Sequence, residues 1–390
     1  MHAVDFISGA VLRARVRALI GAAALAAALV MPGTADAAGN EIVVGQIFDQ
    51  SSAWIEAGRD YAAGAKTYFD LINSGGGVNG KRIVYVSRNS MGAPAEIKRA
   101  AEELMGEMKA DILFDAIGDA TMRALAELKG AEIEGIDVFA PLTGLTAARP
   151  AVQILRASYE EEARELVRHF SGLGLTSFCL VFTQNENQQA AVCAVRQAVA
   201  ATGKPLICEA QAEPNGSNAK LAAQLVRDKR PQAVIVVGDT SVLGTFAREF
   251  PFKQLGTLIG GLSLVNHTAL TEIAGPQAVK GVVLTQLVPS PQREGVPVVR
   301  EQMKAMKKFR DEPPSHLTLE GFIAAKALVE ALRAGLTAKL VRREEIGAIL
   351  LRSKLRLAVN PAESDLGMVN TSGGKTVDVT MVRGDGTLIR

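Results

Sequence analysis

Residues 71–81 read Leu71-Ile72-Asn73-Ser74-Gly75-Gly76-Gly77-Val78-Asn79-Gly80-Lys81, and the order of elements around this run decides the fold. Upstream, Tyr61, Ala65, Tyr68, Phe69 and Ile72 recur at helical spacing and give one buried face. The three glycines suit a left-handed helix end, and Asn79-Gly80 is a turn signal. Residues 81–87 then read as a strand, and residues 41–47 as another before the helix. The same run formally matches the dinucleotide fingerprint G-x-G-x-x-G and most of a phosphate-binding loop. Both motifs need a strand before and a helix after, because the helix N-terminus supplies N–H groups to the phosphate. Here that order is inverted, and Arg82 stands where a magnesium-holding Ser or Thr would be. The run therefore predicts a helix–turn–strand unit and argues against nucleotide binding.

The alternation continues in both directions. Ile97, Ala100, Ala101, Leu104, Met105 and Met108 form a helix stripe, followed by a strand at 111–117, a helix at 120–131 and a strand at 136–140. A helix carrying Ala163, Leu166, Val167 and Phe170 precedes strands at 177–182, 205–210, 233–237 and 257–259, each separated by a helix. Such spacing predicts an α/β chain of βαβ units, its parallel sheets covered by helices on both faces. Helices are expected at 297–309, 316–334 and 343–351, and a hairpin over 375–389 turning at Gly384-Asp385-Gly386. At 390 residues the chain exceeds what one core normally holds, so two domains are expected.

The first 37 residues read as a secretory signal: Arg13, Arg15 and Arg17, an apolar run from 18 to 31, and Ala35-Asp36-Ala37 with small residues at −3 and −1. The run is too short for a transmembrane helix, and no cysteine follows it to carry a lipid. Cleavage removes three Arg and two Asp, taking the net charge from +2 to +1, which gives no electrostatic reason to expect nucleic acid or an anionic membrane as partner. Cys179, Cys193 and Cys208 match no zinc spacing, and the simplest reading is buried thiols. Hydrolytic motifs fail as well. Gly261-Leu262-Ser263-Leu264-Val265 lacks the closing glycine of a nucleophile elbow. His169, His267 and His316 join no HExxH, and His169 and His316 read as solvated. Glu160-Glu161-Glu162 reads as the acidic first turn of a helix. No enzyme activity, metal or cofactor is expected.

The stretch from 41 to about 103 resembles the start of the Leu/Ile/Val-binding proteins, which have the type I periplasmic binding fold. Its carriers are Val44-Gly45-Gln46, Gly64-Ala65, and Ile72-Asn73 leading into Gly76-Gly77-Val78-Asn79-Gly80-Lys81. Ala140-Pro141-Leu142-Thr143-Gly144, Arg156-Ala157-Ser158-Tyr159 and residues 319–326 extend the likeness, which thins between 184 and 271. The resemblance implies two Rossmann-like lobes, 38–156 with 288–358 and 157–287 with 359–390. Three hinge crossovers would lie near Leu155–Ser158, Gln286–Pro289 and Leu357–Pro361. It implies a monomeric periplasmic receptor that closes on a small-molecule solute, an amino acid or an amino-acid-like carboxylate or amide. Delivery would be to an inner-membrane ABC permease. A ligand-sensing module that signals to a regulatory partner is the alternative on the same fold.

Open α/β sheets present ligands beyond the carboxyl ends of their strands, which singles out the loops there. In the first lobe these carry Trp54, Asp119, Thr121 and Thr143; in the second, Asn187, Asp239 and Ser263. In amino-acid-binding relatives, hydroxyls and N–H groups in the loops after the third and fourth strands hold the carboxylate, as Thr121 and Thr143 could. Asp119 does not suit that role, since it would repel a carboxylate. Asn187 takes the place of an expected aromatic, and Leu262-Ser263 that of an expected acid, leaving Asp239 to meet an ammonium. These departures point away from plain leucine, isoleucine or valine. Each residue also has a structural reading: Trp54 as packing, the threonines and aspartates as helix caps.

Overall fold

Strand β1 (Glu41–Phe48) is buried along nearly its whole length, as expected for a strand with neighbours on both edges and helices on both faces. The computed structural model describes residues 40–50, 54–127, 138–145, 152–184, 188–336, 356–358, 365–367 and 377–389. The expected signal sequence, Asn187, the part of the expected third crossover beyond 358 and the helix expected at 343–351 lie outside them.

In chain order, β1 is followed by helix α1 (Ile55–Ser74), β2 (Arg82–Asn89), α2 (Pro94–Glu102, running on as a π-turn to Glu107), β3 (Ile112–Phe114), α3 (Asp119–Glu127), β4 (Val138–Phe139) and β5 (Val152–Gln153). These five strands form one sheet in the order β2-β1-β3-β4-β5, with β1, β3, β4 and β5 parallel. The chain then passes to α4 (Tyr159–Gly172), β6 (Phe178–Thr183), α5 (Gln189–Ala201), β7 (Leu206–Ala212), α6 (Ala219–Lys229), β8 (Ala233–Val237), α7 (Thr240–Glu249), α8 (Phe252–Leu255), β9 (Leu258–Gly261), α9 (His267–Ala274), α10 (Pro276–Val279) and β10 (Val283–Gln286). Helices α11 (Pro297–Phe309) and α12 (His316–Leu336) return to the first sheet, whose core they share. A two-stranded pair, β11 (Arg356–Ala358) and β12 (Asp365–Gly367), precedes the hairpin β13 (Asp378–Val382) and β14 (Leu388–Ile389). That hairpin joins the second sheet antiparallel to β10, giving the order β14-β13-β10-β9-β8-β6-β7.

Each sheet is covered on both faces. The first packs α1, α11 and α12 against one side through Phe69, Phe114, Phe322 and Leu328, and α2 and α3 against the other through Ile97, Leu104 and Leu125. The second packs α6, α7 and α9 on one side and α4 and α5 on the other. Strand β8, Ala-Val-Ile-Val-Val, is buried at every position, the continuous apolar run of a strand sandwiched by helices.

The glycine run does what its context predicts. Gly76 and Gly77 take positive φ after α1, and a Cβ on Gly77 would lie 2.0 Å from the Lys81 carbonyl. Val78 and Lys81 exchange both backbone hydrogen bonds around Asn79-Gly80, both at positive φ, as a two-residue hairpin turn requires. Helices α1 and α12 cross where each lacks a side chain. A Cβ on Gly64 would sit 1.9 Å from the Thr318 carbonyl, and one on Gly321 1.9 Å from that of Tyr61.

Three expectations change. Strands β3 and β4 are shorter than the apolar runs suggest, because Asp115 (φ 47°) and Ala140 (φ 55°) turn the chain out of extended geometry. The short run Val283–Gln286, too brief to stand out in the sequence, is a fully buried strand. Cys179 and Cys208, expected as buried thiols, are disulfide-bonded: they are register partners on the adjacent parallel strands β6 and β7, which brings their Cα atoms to 4.7 Å. Cys193 is free and half-buried. Among the described residues, no helix is long and apolar enough to cross a membrane.

Candidate functional site

The carboxyl ends of both sheets' parallel strands meet a common polar layer. On the first-sheet side, α1 contributes Glu56 and Asp60. Asp60 Oδ2 accepts from Asn266 Nδ2 (2.8 Å) and from Ser315 Oγ (2.6 Å). Asn266 caps α9 on the second sheet, with its own Oδ1 accepting the N–H of Thr268 and Ala269. Glu56 is hydrogen-bonded to Thr240, the first residue of α7, whose hydroxyl also accepts the Asn266 N–H (3.1 Å). Burial pushes the Glu56 carboxyl up against that hydrogen bond, and the neighbouring carboxylates of Asp60, Asp239 and Glu272 push the same way. Burial raises Asp60 too, opposed by Ser315 and Asn266.

At the first crossover Arg156 is buried, bonded from Nη2 to Ser263 Oγ (2.6 Å) and paired with Glu320 of α12 (3.1 Å) and Glu162 of α4 (3.7 Å). Burial works to lower its pKa, but the two carboxylates more than offset this and raise it. Glu162 is itself saturated: it accepts the Ser263 N–H (2.8 Å), the Ser263 hydroxyl (3.0 Å) and the Thr285 hydroxyl (2.5 Å). His316, at the start of α12, donates from Nε2 to the Ser263 carbonyl (2.7 Å) and stacks on His267 of α9, ring centroids 5.4 Å apart. His267 donates from Nδ1 to the Gly386 carbonyl in the β13–β14 turn (2.9 Å). Both rings are buried, so His316 is not solvated as its sequence context suggests. Desolvation, then the neighbouring His267, takes its pKa down to about 3.

The residues singled out from sequence fall as follows. Trp54 opens α1 and is 2% exposed, packed in the first-sheet core. Asp119 and Thr143 are brought together: the Thr143 hydroxyl donates to Asp119 Oδ1 (2.5 Å), which also accepts the Gly144 N–H (3.3 Å). Tyr159, the first residue of α4, hydrogen-bonds to the same carboxylate. Burial raises Asp119 to about 6 against the pull of Thr143, Tyr159 and Arg123. The Thr121 hydroxyl donates back to the Ile117 carbonyl (2.9 Å). Asp239 is the cap of α7, accepting the Val242 N–H (2.9 Å), and burial raises its pKa. Ser263 is bound into the Glu162–Arg156 network rather than joining the other singled-out residues.

Sequence reasoning missed Glu56, Asp60, Tyr159, Arg156, Glu162, Glu320 and the histidine pair. A signal existed for several. Glu162 lies three residues after Tyr159 and four before Leu166, on the buried stripe of α4, and Asp60 lies four before Gly64 on the face that meets α12. An acid on an apolar stripe needs a partner, and that is the clue.

Comparison with known proteins agrees with this architecture. The profile of a family described as periplasmic binding protein matches residues 41–350. A substrate-binding periplasmic protein from Ralstonia solanacearum superposes with a TM-score of 0.77 at 25% identity, over 90% of this chain and 99% of that one. The substrate-binding protein of a branched-chain amino acid transporter from Streptococcus pneumoniae, in complex with isoleucine, gives 0.74 at 18% identity over 89% and 97%. A solute-binding protein of an ABC transporter from R. palustris, in complex with benzoate, gives 0.69 at 15% over 90% and 91%. No curated relative matches the chain in sequence.

Proposed function

The chain belongs to the periplasmic binding protein family, and from that premise we propose that it is a periplasmic receptor that captures a small polar solute between two lobes and delivers it to an ABC importer. The carrying observation is the polar layer between the two sheet bodies. Asp60 reaches Asn266, and Glu56 reaches Thr240, from one helix of the first body to two helix starts of the second. Contacts of this kind can be made on closure and broken on opening, as hinge closure requires. We assign the lobes as 38–156 with 288–358 and 157–287 with 359–390, export to the first 37 residues, and no catalytic role to the chain. An amino-acid-like solute fits the size range of what the fold neighbours hold, isoleucine in one and benzoate in another. The partner is an inner-membrane permease, met by a monomer of the receptor.

A thermal-shift screen against a solute library tests capture, because a ligand at about 100 times its dissociation constant adds about 2.7 kcal/mol. Small-angle scattering of the hit complex should show a smaller radius of gyration than the free protein. The single tryptophan, Trp54, should report binding in its emission. A library without hits, or a hit that changes neither radius nor emission, overturns the receptor reading.

A further inference from the structure

At the ends of β3 and β4 three donors converge on one point: the Thr143 hydroxyl, the Gly144 N–H and the Tyr159 hydroxyl. Two hydroxyls and a backbone amide are a fitting set for a carboxylate. The point lies at the junction of the two bodies. Tyr159 opens the first helix of the second body and donates its N–H to the Gly144 carbonyl (2.9 Å), and a Cβ on Gly144 would collide with the Tyr159 ring. What fills the set is the protein's own carboxylate, Asp119, wholly buried. In the second body another buried carboxylate takes a like set of donors: the Ser263 N–H and hydroxyl, after β9, and the Thr285 hydroxyl, on β10, all go to Glu162.

We propose that Asp119 is a specificity-determining residue whose side chain occupies the carboxylate seat of the cleft, so that the receptor selects neutral amide- or cationic amine-bearing solutes and rejects carboxylates. This rests on the receptor reading above. A solute carboxylate would have to displace a tethered one that is already hydrogen-bonded, and would enter a buried site beside a like charge.

The test removes the tethered group and offers it back in solution. Asp119→Ala should melt lower than the wild type and recover saturably with formate or acetate, while formamide or acetamide at equal concentration does nothing. The wild type should not respond to formate or acetate. If Asp119→Ala folds only when formate is present during refolding, the proposal is equally supported. If it folds but shows no carboxylate-specific recovery, or if it stays unfolded with formate, the seat is not a carboxylate site and the proposal fails. In the wild type, amides and amines should outbind acids of matched shape by about a hundredfold, since a buried unpaired charge is heavily penalised. A carboxylate solute binding as tightly as its amide overturns the proposal and leaves the receptor reading intact, whereas no binding by any solute overturns the receptor reading and leaves the formate result to decide the role of Asp119.

Discussion

Replacing His316 by Gln should make the protein less stable at neutral pH by an amount that shrinks as the solution is acidified. His316 is 1% exposed, with its pKa depressed to about 3 by desolvation and by His267 against its ring. In the unfolded chain it titrates near its ordinary value, about 6.5. Between those two values the unfolded state binds a proton that the folded state refuses, so the stability His316 supports is present above about pH 6.5 and is lost as pH falls. One such group loses about 1.4 kcal/mol between about pH 7.5 and 5.5, and about as much again by pH 4.5. The wild-type profile alone does not isolate this. Asp119, raised to about 6, acts with the opposite sign: its folded form takes up a proton first, so acidification below 6 favours the folded state. The difference between wild type and variant removes the carboxylate contributions common to both. Gln keeps a donor for the Ser263 carbonyl and does not titrate. Urea unfolding followed through the buried Trp54, at matched pH values, gives the difference directly. A penalty for His316→Gln that is constant with pH, or that grows on acidification, refutes the reasoning.

The disulfide predicts one free thiol per chain before reduction, that of Cys193, and three after it. Losing a link across 29 residues should cost about 3–4 kcal/mol by the loop-entropy relation, and three free thiols in protein purified without reductant would refute the pairing. Gly64→Ala and Gly321→Ala should each destabilise by about 1–3 kcal/mol or more through overpacking of the α1–α12 crossing, while Gly172→Ala, with open space around it, should not. Equal melting temperatures for all three would contradict the crossing. Glu162→Gln should cost about 3–5 kcal/mol, because it leaves Arg156 underpaired in a buried site; a loss below about 1 kcal/mol would mean the network carries little.

The fold was legible because it is written in local periodicities. The stripes of α1, α2 and α4, the apolar run of β8 and the Asn79-Gly80 turn each decide an element within a few residues. What escaped was short or conformationally special. Strand β10 is four residues long, and the positive φ of Asp115 and Ala140 that cuts β3 and β4 short leaves no mark in a hydrophobicity pattern. The disulfide depends on β6 and β7 lying side by side, which the sequence implies only once the strand order is known.

The polar layer was less legible for a different reason: its bonds join residues far apart in sequence. Glu160-Glu161-Glu162 looks like one acidic turn, yet the structure divides it three ways. Glu160 is exposed, Glu161 closes a capping box with Ser158, and Glu162 is buried with partners 101 and 123 residues away. Helical phase distinguishes them, since only Glu162 falls on the stripe with Tyr159 and Leu166. The same division bears on motion. Arg156 sits on the crossover itself and is held by Glu162 of one body and Glu320 of the other, all three nearly excluded from water. Breaking such a pair costs about 3–5 kcal/mol, whereas a hydrogen bond such as Asp60–Asn266, from a neutral amide to a half-buried carboxyl group, nets about 1.5–3 kcal/mol at most. On the proposed reading, opening therefore proceeds by releasing Asp60 from Asn266 and Glu56 from Thr240 while the Arg156 cluster stays intact as the pivot.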